Sequence, residues 1–126
     1  MENLDDSVRD ALEVDMVVDI TTNGRKTGQG RRIEIWAHNL NGQVIITGSP
    51  GRRGWYANLA ASPELTFHLK GDVKADLKAI ARLVTDEAER RSILDKVKCM
   101  SAFEQRRNMD VEEYVRGSCL LEVSFK

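Results

Sequence analysis

A chain of 126 residues has room for about one hydrophobic core, so residues 1–126 are expected to form a single domain. With 41% hydrophobic and 31% charged residues it carries too much apolar surface for wholesale disorder. The longest stretch free of Asp, Glu, Lys and Arg, Ile35 to Gly51, is interrupted by His38, Asn39, Asn41, Gln43, Thr47 and Ser49, which excludes it as a membrane-spanning helix.

Taken in chain order, Asn3 or Asp5 caps a short amphipathic helix over about residues 4–14, with Leu4, Val8, Ala11 and Leu12 as its apolar stripe. Asp15 to Thr22 reads as a strand with Met16, Val18 and Ile20 on one face, ending at the turn residues Asn23-Gly24. A second strand, about Arg31 to His38, sets Ile33, Ile35 and Ala37 against Arg32, Glu34, Trp36 and His38. The hairpin signal Asn41-Gly42 joins it to an antiparallel third strand, Gln43 to Gly48. Beyond the breakers Ser49 to Arg53, Trp55 to Ala60 fits a short helix closed by Ser62-Pro63.

Leu65, Phe67 and Leu69 alternate along a fourth strand, and Val73, Ala75, Leu77, Ala79, Ala81 and Leu83 along a fifth. Asp86 with Glu89 forms a capping box for a helix bearing Ile93, Leu94, Val97 and Met100 on one stripe; Asp110 with Glu113 repeats the device before a turn ended by Gly117. Cys119, Leu121, Val123 and Phe125 share one face of a sixth strand. Six short strands without a βαβ rhythm predict an α+β fold, a small antiparallel barrel with helices packed outside.

Charge is distributed unevenly. Residues 21–56 carry Arg25, Lys26, Arg31, Arg32, Arg52 and Arg53 against the single acid Glu34, whereas the whole chain has a net charge of −1. A cationic segment in an otherwise acidic protein points to a site for an anionic small molecule rather than to nucleic acid. Thr21 to Arg31 places glycines, cations and hydroxyls in one turn between strands, where backbone N–H groups can approach an anion and Arg and Lys can contact phosphate oxygens. It leads into a strand, not a helix, and lacks the spacing of a Walker loop. An ordinary flexible hairpin loop would have the same composition.

Trp55 and Leu59 lie four apart on one helical face, as a core anchor would. Trp36 and His38 face either a pocket or solvent, with His38 read as a surface residue. Cys99 and Cys119 read as small buried hydrophobes; they are too few for a disulfide framework or, with His38 and His68, for a spaced metal-ligand set. With no basic or apolar leader at the N-terminus, a cytoplasmic location is expected. No nucleophile and base pair by spacing, so any redox chemistry calls for a bound organic cofactor.

Two segments together, Thr21 to Arg31 and Trp55-Tyr-Ala-Asn-Leu-Ala-Ala-Ser-Pro63, resemble the deazaflavin-dependent nitroreductase family, a relative of the pyridoxamine-phosphate-oxidase type of FMN-binding split barrel. The resemblance spans about residues 15–84. It implies a six-stranded split β-barrel that binds reduced coenzyme F420, a deazaflavin with a phospholactyl-oligoglutamate tail, and delivers hydride to quinones, enones or nitroaromatics. It further implies cofactor contacts from Arg25, Lys26, Thr27 and Arg31, from Ile46, Thr47, Gly48 and Ser49 along the ring edge, and from Trp55 and Asn58. A proton would come from water, Tyr56, Ser49 or Tyr114. The family usually has Pro where this chain has Gly30, and a tyrosine-rich C-terminal segment where residues 99–119 offer only Tyr114 and Phe103 as aromatics. FMN, whose single phosphate could use the same cations, is the alternative cofactor, and a non-catalytic carrier the alternative role. The apolar last strand, with the relatives' habit of pairing, suggests a homodimer.

Overall fold

A computed structural model describes residues 6–48 and 53–126. Asn3, Leu4 and Asp5 of the expected first helix and its caps, and Ser49 of the expected site, lie outside the described residues. Within them the chain forms α1 (Asp6–Ala11), β1 (Asp15–Asn23), β2 (Gly30–Leu40), β3 (Gln43–Gly48), α2 (Gly54–Ala61), β4 (Glu64–Lys70), β5 (Lys74–Leu83), α3 (Glu87–Met100), α4 (Ala102–Arg106), α5 (Val111–Gly117) and β6 (Cys119–Phe125). The strands close into an antiparallel barrel in the order β1-β2-β3-β6-β5-β4.

Period-two patterning sets the inner face. β1 buries Met16, Val18, Ile20 and Thr22 and turns their neighbours outward. Phe67 from β4, Ala79 and Ala81 from β5, and Leu121 and Val123 from β6 meet them in one core. Val8 and Leu12 at the N-terminal end and Trp55 and Leu59 of α2 join the same cluster, which explains why two such short helices hold their places: neither has the length to persist alone. The β2–β3 hairpin turns at Asn41 and Gly42 with φ of 55° and 99°, the left-handed pair that matches strand twist.

A second apolar layer lies outside the barrel. Ile93, Leu94 and Val97 of α3 and Tyr114 and Val115 of α5 cover Leu40, Ile45 and Leu120 from the outer face of β2, β3 and β6. The Asp86 and Asp110 side chains accept from the backbone N–H of Glu89 and Glu113, as the sequence predicts. Because Leu120 and Leu121 are both wholly buried, the apolarity of β6 is satisfied inside the chain and by itself argues for no interface between copies.

Arg90 falls on the buried stripe of α3, three and four residues before Ile93 and Leu94. Its guanidinium donates to the carbonyls of Val84, Tyr114, Val115 and Ser118 at 2.8–3.0 Å, tying α3 to the end of α5.

Candidate active site

β2 is paired with β1 from Gly30 to His38, yet with β3 only from Ala37↔Ile46 to Leu40↔Gln43. From Gly30 to Trp36 its other edge has no strand beside it among the described residues, so the wall is split there. Two cavities lie along this split and share Trp55: one of about 400 Å³ toward the Gly24 end and one of about 180 Å³ toward β3.

Arg25, Lys26, Thr27, Arg31, Trp55 and Asn58 line the larger cavity. The β1–β2 loop that presents Arg25, Lys26 and Thr27 is closed on itself, Gly24 N–H donating to Gln29 O at 2.8 Å and Gly28 N–H to Gly24 O at 2.7 Å. A methyl group on Gly24 would stand 2.9 Å from Thr27 Oγ1 and 3.1 Å from the Gln29 carbonyl, so the tight loop requires glycine there. Gly28 supplies the positive φ of 73°. Asn58 is the anchor: its Oδ1 accepts from Arg25 N–H at 3.2 Å and from Arg25 Nη1 at 3.0 Å, while its Nδ2 donates to Thr22 Oγ1 at 3.2 Å.

Among the described residues, no carboxylate lies within salt-bridge distance of Arg25, Lys26 or Arg31. By contrast Arg32 is paired with Asp19, Arg82 with Glu89 and Glu122, and Arg91 with Glu112. Three cations without a carboxylate partner among the described residues thus stand together around one cavity, an arrangement suited to an anion.

Thr47 and Gly48 line the smaller cavity together with Trp36, Phe103, Glu104 and Arg107. Trp36 stacks on Phe103 with ring centroids 4.0 Å apart, and the Arg107 guanidinium sits 5.3 Å from the Phe103 centroid. Thr47 Oγ1 donates to Cys119 O at 2.7 Å, which holds the end of β3 against β6.

The structure therefore gathers Arg25, Lys26, Thr27, Arg31, Trp55 and Asn58 around one cavity and Thr47, Gly48 and Trp55 around the other. Of the other described candidates, it does not bring Ile46, Tyr56 or Tyr114 there. Ile46 points into the barrel core and is fully buried. Tyr56 lines neither cavity, and its hydroxyl donates to Leu120 O at 3.2 Å. Tyr114 is buried in the outer helical layer, where burial pushes its phenol above the usual value, assisted by Glu104.

Two expectations from the sequence are corrected. His38 is not a surface residue but fully buried, because the α3–α4 junction covers the outer face of β2 at that point. Cys99 is exposed, since it stands off the Ile93-Leu94-Val97 stripe; Cys119 is buried as expected. Sequence reasoning missed Glu104, Arg107 and the role of Phe103. α4 is five residues long and its only local signal is Ser101, whose hydroxyl accepts from Glu104 N–H at 3.0 Å.

The closed six-stranded barrel with helices outside thus carries, along its split wall, a cavity ringed by Arg25, Lys26 and Arg31 beside an aromatic slot. The chain belongs to the F420H(2)-dependent quinone reductase family, whose sequence pattern matches residues 3–115, and is accordingly an F420H2-dependent oxidoreductase. Solved structures share the fold at low identity. A conserved hypothetical protein from Mycobacterium tuberculosis is 13% identical with a TM-score of 0.73, covering 98% of this chain and 81% of its own. An F420 reductase is 13% identical with a TM-score of 0.70, covering 98% and 96%. A domain-swapped dimer is 21% identical with a TM-score of 0.61, covering 86% and 79%.

Proposed function

We propose that the chain holds reduced coenzyme F420 along the split and uses it to reduce an electron-poor acceptor, a quinone, an enone or a nitroaromatic. The observation that carries this reading is the ring of carboxylate-free cations, Arg25, Lys26 and Arg31, around the larger cavity. A tail with phosphate and carboxylates fits such a ring, and hydride is the chemistry the coenzyme supplies when bound. The chain's own residues bind and orient. Lys26 and Arg31 meet the anionic tail, Asn58 and Arg25 keep the loop in place, and Trp55 separates the tail region from the ring region. Thr47 and Gly48 border the ring region, with Gly48 leaving open space where a side chain would otherwise stand. Trp36 and Phe103 offer the acceptor a flat apolar wall.

The test is a titration of the purified chain with coenzyme F420 and with FMN in parallel. Tight binding of F420 that weakens with salt, with FMN bound far more weakly, is the expected result. A chain that retains yellow FMN through purification and ignores F420 would reverse the cofactor assignment. Binding of F420 with no turnover of a naphthoquinone, an enone or a nitroaromatic would leave a carrier. Pairing of two copies belongs to the same proposal: one neighbour of similar fold is a domain-swapped dimer, and sedimentation at twice the chain mass is expected.

A further inference from the structure

Behind the smaller cavity lies a polar cluster that cofactor binding does not use. His38 is fully buried, and its Nδ1 stands 2.8 Å from Asp15 Oδ1. Asp15 also accepts from Ser101 Oγ at 2.6 Å and from Phe103 N–H at 3.0 Å. Although burial opposes it, these hydrogen bonds and His38 hold the Asp15 carboxyl below its ordinary value. An ionised Asp15 requires hydrogen on His38 Nδ1, so the ring's undetermined position is Nε2.

Among the described residues, Nε2 has no hydrogen-bond partner, and neither has Glu104 Oε2. The two groups face each other across a gap: Nε2 lies 3.9 Å from Glu104 Oε1, beyond hydrogen-bond distance until the soft last torsion of Glu104 turns an oxygen toward it, and the Glu104 side chain is only 4% exposed. Arg107 Nη1, at 3.8 Å from Oε1, is too distant for a hydrogen bond. Among the described residues, the other ionisable groups around Glu104 are Tyr114 from α5 and, along the cavity, Glu34 from β2 and Arg53 before α2. Orphaned polar atoms this deeply buried are rare and costly. One proton answers both. On Nε2 it makes an imidazolium facing a carboxylate; on Glu104 it makes a neutral acid facing a lone pair.

We propose that His38 and Glu104 share one exchangeable proton and that Glu104 donates it to the acceptor's oxygen in the smaller cavity. The proposal rests on the coenzyme reading above. Hydride arriving at a quinone or enone leaves an oxyanion. The Glu104 O–H bond breaks, an O–H bond forms on the acceptor, and Glu104 becomes a carboxylate. Once the product leaves, a solvent proton entering the cavity that Glu104 lines restores the acid, so protons balance over a turnover. The last torsion of a glutamate side chain is soft, so a rotation turns an oxygen from His38 toward the cavity that Glu104 lines. Glu104 is then a catalytic residue, His38 a positioning residue, and Asp15 the group that fixes the tautomer.

The experiment pairs two measurements on the full chain. In 15N NMR without coenzyme, His38 should keep hydrogen on Nδ1 across the pH range, and the pH response of Nε2 should change in Glu104→Gln; a His68→Gln variant assigns the signals. An unprotonated Nδ1, or identical Nε2 behaviour in both proteins, overturns the shared proton. In turnover of a soluble naphthoquinone, Glu104→Gln should lower kcat by about 100-fold and abolish the fall in kcat with rising pH, with coenzyme affinity within about twofold of wild type. Glu104→Asp should recover part of the pH dependence. Wild-type turnover in Glu104→Gln overturns the donor role. A wild-type chain that binds no deazaflavin overturns the coenzyme reading and the donor role with it, while the NMR result on the free chain still decides whether the proton is shared.

Discussion

Lys26→Ala isolates the anion site from the fold. Arg25 would be a poorer choice, because its guanidinium and its backbone N–H both bind Asn58, so its loss also loosens the loop. Lys26 is exposed and has no carboxylate partner among the described residues, so its removal should leave the melting temperature unchanged. A charge-assisted contact to phosphate is worth about 1.5 to 3 kcal/mol when sheltered, and less at an exposed position. At the rim of an open cavity a loss of about 1 kcal/mol is expected, which is about a fivefold rise in Kd. Fluorescence titration with coenzyme F420 at low and at physiological ionic strength reads it directly. The difference between wild type and variant should shrink as salt rises, since exposed charges are screened over about 8 to 10 Å. Equal Kd values for the two proteins at low salt would remove Lys26 from the anion site, and a salt-independent Kd in wild type would refute the electrostatic argument as a whole.

Three further predictions concern stability and reactivity. Arg90→Met should cost about 3 kcal/mol or more, because four buried carbonyls lose their donor, and should lower Tm by about 10 °C in calorimetry; a change within error would mean that water replaces the guanidinium. The Asp15 carboxyl titrates lower in the folded than in the unfolded chain, so its contribution is fully present above the unfolded value of about 4 and is lost as pH falls through the folded one. Denaturant unfolding of Asp15→Asn should therefore show its deficit near neutrality and converge on wild type in acid; a deficit independent of pH would contradict this. Burial pushes the Cys119 thiol up to about 11, whereas Cys99 is exposed, so a thiol reagent should label the native chain once, at Cys99, and a second time only after unfolding.

Strand identities and the main helix caps were legible because their signals are local. Alternation along Met16-Val18-Ile20 and the Asp86/Glu89 pair need no knowledge of what lies across the barrel. The cationic loop was legible for the same reason, as was the pairing of Trp55 with Leu59. Burial on the outer face was not. His38 occupies a strand position that reads as solvent-facing, and only the packing of Ser101 and Phe103 over Asp15 encloses it. Glu104 and Arg107 come from a stretch too short and too polar to carry a periodic signal. Two omissions were avoidable: Arg90 stands at helical spacing with Ile93, Leu94 and Val97, which marks it as buried, and Cys99 stands off that stripe, which marks it as exposed.

The division between what was and was not legible follows the division of labour along the split. The end proposed to meet the anion is built from one contiguous loop, the start of β2 and one short helix, and a charge needs only approximate placement to act over several ångströms. The end assigned to the acceptor is assembled from β2, the end of β3 and α4, brought together across more than sixty residues of sequence. A proton donor acts only within hydrogen-bond reach, so its position must be fixed by the packed α3–α4 junction rather than by a local motif. Ser101 does this twice over. Its backbone N–H closes α3 onto Val97 O, and its hydroxyl caps α4 while donating to Asp15. Replacing Ser101 with Ala should therefore disturb Glu104 and His38 together while sparing the Arg25–Asn58 contacts at the far end. Acceptor turnover should fall more than coenzyme affinity, and equal losses in both would show that the two ends of the split are not independent.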